Sequence, residues 1–197
     1  MTNLVYDESY FHDNDAGYTE YKRDLFPPDT PEHLQSRAQQ LFNEVAGRGL
    51  SIQNRKVLIL GCAYGYTVEY LVGLGANAFG MDISAYAISQ APSSIAGRVL
   101  VGDARLRADL NAARSLAAIQ GNARFDLIVS EDLLPCYTDA QAIAAAIEWR
   151  TRHGQRVAHR ITIGNYQGGY NLKTLAQWRT LLGTADWIFD YMTWAEA

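Results

Sequence analysis

The sequence predicts an α/β chain built on a doubly wound, mostly parallel sheet with helices on both faces, and three observations predict it. Apolar runs of strand length alternate with segments of helical period, the first run ends in a turn carrying Gly61 and Gly65, and the second ends on a carboxylate, Asp82. Such alternation calls for right-handed crossovers, which place helices on both faces and gather the strands' carboxyl ends on one edge.

Residues 1–30 are aromatic and acidic without a sustained period and end in Phe26-Pro27-Pro28-Asp29, which reads as an ordered arm or lid. A packing helix fits residues 31–49, with Thr30 as N-cap, Pro31 at the first helical position, Leu34, Ala38, Leu41, Phe42 and Val45 on one face, and Gly47 and Gly49 past the end. Val57 to Leu60 are continuously apolar, as in a strand buried on both faces. A helix from about Tyr66, a strand Ala78 to Met81, a helix near Tyr86 to Gln90 and a strand Val99 to Val101 follow. Leu106 to Ile119 repeats Ala, Leu and Arg at helical spacing, and Leu127 to Val129 makes a fourth strand. The last zone carries a helix through Ala142 and Ile147, a strand Val157 to Ile163, a Gly168-Gly169 loop, a helix through Leu175 and Trp178, and a strand Trp187 to Met192.

The residue types at the first turn point to a ligand. Without a Cβ, Gly61 and Gly65 let the backbone fold sharply and approach a bound molecule, and the helix that follows offers free amides. Asp82, at the end of the next strand, suits a ribose diol. The dinucleotide pattern G-x-G-x-x-G fails here, because it would put Ala63 at its second glycine and Tyr66 at its third. A ligand with one nucleoside and a small charged tail, such as S-adenosylmethionine, fits better.

On these residues the chain resembles the class I S-adenosylmethionine-dependent methyltransferases. Val57-Leu58-Ile59-Leu60-Gly61-Cys62-Ala63-Tyr64-Gly65 resembles their glycine motif, Gly80-Met81-Asp82-Ile83-Ser84 their second motif, Gly102-Asp103-Ala104 their third, and Phe125 to Ser130 their fourth strand. The resemblance is strongest over residues 54–135. It implies a Rossmann-like fold, S-adenosylmethionine as cofactor, and a binding set of Gly61, Cys62, Ala63, Gly65, Asp82, Ile83, Asp103, Ala104, Ser130 and Glu131. Tyr10 and Tyr18 of the arm, which is similar to the lead-in of one bacterial branch, are expected to cap the pocket. Two positions depart from the pattern. Ile59 stands where the family has an acid that holds the cofactor's amino end, and Leu134-Pro135-Cys136 replaces a Leu-Glu-His that supplies a base. Ala63, at a position where the family often has glycine, is acceptable with negative φ. The family's sheet ends in an antiparallel hairpin, and this chain reads one strand short, leaving an edge that is trimmed or pairs with a second copy.

Composition narrows the partners. With 197 residues, 48% of them hydrophobic, one domain over 1–197 is expected: a cofactor-binding core at 54–135 and a substrate-side part at 136–197. No run reaches the ~18–20 apolar residues of a membrane span, and the start lacks a secretory signal, so the expected location is cytoplasmic. Cys62 and Cys136 are too few for a disulfide framework and read as buried thiols, and no zinc-type spacing occurs. A net charge of -4 argues against a general grip on nucleic acid. From Trp149 to Ala185 there is no acid, while Arg150, Arg152, Arg156, Arg160, Lys173 and Arg179 are present: a solvated face, or a patch for an anionic acceptor.

Methyl transfer to an acceptor that must lose a proton calls for a base, and Asp132, just past the fourth strand, is the candidate, with a loop cap as its structural alternative. Glu131 is the candidate to receive the ammonium group that residue 59 cannot hold. His159 reads as a satisfied structural histidine and His153 as a helix-end residue. Two function classes follow: a methyltransferase acting on a small anionic or glycan-like acceptor, and a binding or regulatory subunit with weak or no catalysis.

Overall fold

A computed structural model of the chain describes residues 6–7, 31–161, 171, 173–183 and 187–190. Six strands form one sheet: β1 (Lys56–Leu60), β2 (Asn77–Asp82), β3 (Val99–Val101), β4 (Leu127–Glu131), β5 (Val157–Ile161) and β6 (Trp187–Asp190), in the order β3-β2-β1-β4-β5-β6. Every pairing is parallel. The order reverses between β1 and β4, and in such sheets the crevice beyond the strand ends at that switch is the ligand position.

The two faces bury different helices. On one, α1 (Pro31–Gly47) and α2 (Tyr66–Gly73) cover Val57, Ile59, Val129 and Ala158, with Leu41, Val45, Val68 and Leu71 in the same apolar cluster. On the other, α4 (Arg107–Leu116), α5 (Asp139–Glu148) and α6 (Leu175–Leu182) cover Leu58, Leu60, Ile128 and Ile161, centred on Trp149 and Trp178. A short α3 (Ala85–Ser89) follows β2, started by the Ser84 hydroxyl accepting the Ala87 N–H at 3.0 Å. All five β5 residues are buried, which explains a strand readable from its apolar ends alone.

Most expected elements appear within a residue or two. The helix expected over Leu106 to Ile119 is shorter, because Ala118 turns to φ +50 and stops it. The helix at Pro31 starts as expected, whereas its cap Thr30 lies outside the described residues. β6 runs parallel to β5 and is the outermost strand among the described residues. A terminal hairpin would involve residues 191–197, which lie outside them. No helix among the described residues is long and apolar enough to cross a membrane.

Candidate functional site

The turn after β1 is built by backbone. Gly61 (φ +76) and Gly65 (φ +80) occupy the left-handed region that favours glycine. A Cβ on Gly61 would lie 2.9 Å from the Glu131 carbonyl oxygen, and one on Gly65 2.6 Å from Ile95 Cδ1. Gly65 is also the N-cap of α2 with no side-chain cap, so the first amides of that helix face the turn without an internal acceptor. Between the glycines Ala63 adopts φ +46, against the negative φ expected for a tolerated alanine. The reason lies in β2. The Ala63 N–H donates to Asp82 Oδ2 at 2.9 Å, and that bond fixes the turn.

Asp82 therefore organises the site before any ligand arrives. Its Oδ1 accepts the Ser84 N–H at 2.8 Å, and the Ile83 amide adds to the hold, so backbone amides aim the carboxylate. Burial raises its pKa above the ordinary carboxylate value, outweighing the amide hydrogen bonds that lower it. Ile83 beside it is exposed. Cys62 is buried, its thiol pKa pushed well up by burial and by the charges of Asp82 and Glu131, as a structural thiol requires.

Asp103 carries a partner that the sequence did not reveal. Arg105 Nε and Nη2 grip its carboxylate at 2.9 and 2.5 Å, and the Arg105 N–H donates to it at 2.9 Å. Burial works against the charge, yet these bonds prevail and hold the pKa below the usual value. The guanidinium lies 5.4 Å from the centre of the Tyr137 ring. Tyr6 comes to the same place. It packs with Ala63, Tyr64, Tyr86 and Ala87, and hydrogen-bonds the Cys136 thiol, so an arm residue joins the β1–β2 side of the edge to the turn after β4. Burial and the charge of Asp132 push the Cys136 thiol up to about 12. Tyr10 and Tyr18 lie outside the described residues, as do Tyr166, Tyr170 and the Gly168-Gly169 loop.

Two expected binding residues turn away from the edge. Ser130 is fully buried, and its hydroxyl meets His159 Nδ1 at 2.8 Å among the side chains of the Trp149 face. Alternation along β4 sends residue 130 to the opposite face from residue 131. Ala104 is buried, and its carbonyl accepts the Trp149 indole N–H at 2.8 Å. His153, the other histidine considered, bonds Glu148 at 3.1 Å at the end of α5, with burial lowering its pKa.

Glu131 ends β4 and Asp132 follows it. Glu131 Oε2 accepts the Thr67 hydroxyl at 3.1 Å, and Oε1 pairs with Arg160 Nη1, its neighbour in β5. The Arg160 side chain is 0% exposed and that of Glu131 8%, which makes this a buried ion pair. Asp132 adopts φ +51 and donates its N–H to the Arg160 carbonyl at 2.9 Å. The acid-free stretch is not one patch. Arg152 pairs with Glu148, Arg160 with Glu131 and Lys173 with Asp139, all acids from outside it. Among the described residues no group of His, Cys, Asp and Glu is arranged to hold a metal ion.

A parallel sheet with a glycine turn, a helix amino end and a carboxylate at its switch point defines a nucleoside-binding α/β domain. The family can be stated more closely. The chain belongs to the methyltransferase domain family, whose match covers residues 58–158, just over half of its length. No curated protein sequence matches it. Among solved structures it is similar in fold to the magnesium protoporphyrin IX methyltransferase (ChlM) of Synechocystis PCC 6803 with bound SAH. The identity is 16%, over 89% of this chain and 85% of that one, with a TM-score of 0.60. The same protein with bound SAM gives 17% identity over 89% and 81%, with a TM-score of 0.57.

Proposed function

We propose that the chain is an S-adenosylmethionine-dependent methyltransferase acting on a small acceptor, anionic or glycan-like, and that one domain carries both sites. The observation that carries this reading is Asp82. A half-buried carboxylate at the end of β2, aimed by backbone amides and facing the glycine turn, offers acceptor oxygens to vicinal hydroxyls. The residues fit the cofactor, because the uncapped amides at the start of α2 face the turn and can receive a tail that carries charge. When bound, S-adenosylmethionine supplies an electrophilic methyl group on a sulfonium.

The chain's own residues bind and orient. Gly61, Cys62, Ala63 and Gly65 shape the floor, Ile83 offers an apolar surface and Asp103 an acceptor for the base, with Ala104 and Ser130 supporting from within. Tyr10 and Tyr18 belong to the arm that would cover the pocket, and Tyr6 supports that role by its position. Asp132 is the candidate base, or the group that orients the acceptor's hydroxyl or amine for in-line attack. The acceptor class rests on Arg105, which lies over the Tyr137 ring with Tyr6 nearby, since a cation beside aromatic rings suits an anion or a sugar face. A second copy at the β6 edge and a cytoplasmic location complete the reading.

Ile59 favours a second reading, a binding subunit with weak or no catalysis. It is fully buried among apolar side chains and offers nothing to an ammonium group. Calorimetric titration with S-adenosylmethionine and S-adenosylhomocysteine tests the cofactor, and the absence of heat with both would remove the first reading. Turnover against sugar phosphates, nucleotides and carboxylic acids then separates enzyme from binding subunit.

A further inference from the structure

The carboxylate missing from β1 reappears on β4. Ile59 stands beside Val129 in the sheet, Val129 beside Ala158, and all three share one apolar cluster. Two residues on, and therefore on the same face, β4 ends in Glu131 and β5 places Arg160 next to it. The Glu131 main chain lies against Gly61, and its side chain takes the hydroxyl of Thr67 from the first turn of α2. The carboxylate thus sits behind the glycine turn, between the ends of β1 and β4, one strand over from where residue 59 would have put it.

We infer that the Glu131–Arg160 ion pair takes over the cofactor's amino-acid end: Glu131 receives the ammonium group, and Arg160 is the positioning residue that holds the Glu131 carboxylate in place. The inference rests on the S-adenosylmethionine reading. With Arg160 on Oε1 and Thr67 on Oε2, each oxygen retains one acceptor direction, enough for a bidentate ammonium contact. Arg160 acts through this carboxylate. Among the described residues, the Cys62 thiol in the turn, which feels both Glu131 and Asp82, and Asp132 next along the chain also lie nearby.

The test compares two ligands that share the nucleoside and differ in the amino-acid end, S-adenosylhomocysteine and 5′-methylthioadenosine, by calorimetry on the full chain. For Glu131→Gln, S-adenosylhomocysteine is expected to bind on the order of tenfold or more weakly, the loss of a charge-assisted contact, while methylthioadenosine changes less than about twofold. For Arg160→Met, S-adenosylhomocysteine should bind several-fold more weakly while methylthioadenosine stays within about twofold, a ligand-selective loss that a merely structural role would not give. Thr67→Val, which leaves the ion pair in place, keeps the test open if either variant fails to fold. It should weaken S-adenosylhomocysteine alone by about threefold. Equal losses for both ligands, or unchanged S-adenosylhomocysteine affinity in Glu131→Gln, overturn the inference. If the unmodified chain binds neither ligand, the cofactor reading itself fails.

Discussion

The two halves of the sheet's carboxyl edge are built from different materials. On the β1–β2 side the architecture is main chain: two left-handed glycines, an uncapped helix and a carboxylate held by backbone amides. On the β4–β5 side it is side chains, an arginine and a glutamate that leave the solvent together and meet across neighbouring strands. A main-chain site is specified by local steric rules, whereas a buried ion pair exists only once two strands find their register. The first half keeps its glycines and Asp82 but has Ile59 in β1, and the second carries the buried carboxylate of Glu131 at the end of β4.

The contrast is open to direct test, beginning with the largest effect. Arg160→Met strands Glu131 without its counter-charge and is expected to cost about 3–5 kcal/mol in urea denaturation. Adding Glu131→Met should recover most of that loss, because two apolar side chains replace a desolvated pair. Equal stability of the single and double variants would show the pair to be uncoupled.

Asp82→Ala attacks the other half. Loss of the acceptor oxygens that face the ribose is expected to weaken S-adenosylhomocysteine binding about 100-fold in calorimetry. Wild-type affinity in this variant would place the nucleoside elsewhere. Gly65→Ala strikes the backbone alone. A left-handed alanine with its Cβ against Ile95 should cost roughly 2 kcal/mol, read as a shift in denaturation midpoint with an unchanged slope.

Two carboxylates on the β1–β2 side should differ in pH response. The folded-state pKa of Asp82 is raised above its unfolded value, so on acidification the folded chain takes up this proton first. That uptake favours the folded state, and the stability it brings is lost again as pH rises through the raised pKa. Ribose binding runs the other way and weakens as pH falls, at a higher pH than an ordinary carboxylate would dictate. Asp103, held low by Arg105, stays charged through that range. Calorimetry from neutrality down to about pH 4.5 should show the loss, and Asp82→Asn should flatten it. The smallest effect belongs to Ala63→Gly. Relief of φ +46 should add up to about 1 kcal/mol of stability and leave binding intact.

The basic stretch shows the limit of reading charge along a chain. Its six cations invited a single anion-binding face, but three of them pair with Glu131, Asp139 and Glu148, residues that precede the stretch. Arg160 was legible as a cation and illegible as a buried one. One hint was present in the sequence, since Ser130-Glu131 and His159-Arg160 are polar pairs ending apolar runs and come to lie side by side. Tyr6 offered a weaker signal. Its segment was placed as a cap by resemblance, but which tyrosine reaches the Ala63 turn depends on how the arm packs.

By itself the sequence determined the alternation of strands and helices, the glycine turn, the family and the place of Asp82 at the end of the second strand. Each of these follows from periodicity or from steric limits on a few neighbouring residues, and such constraints act before the chain is folded. Only the tertiary structure decided that Ala63 is left-handed, that Ser130 faces His159 in the core, and that Glu131 pairs with Arg160, 29 residues away. Those outcomes depend on strand register and on which face each side chain takes, so their energies exist only when distant segments are already together.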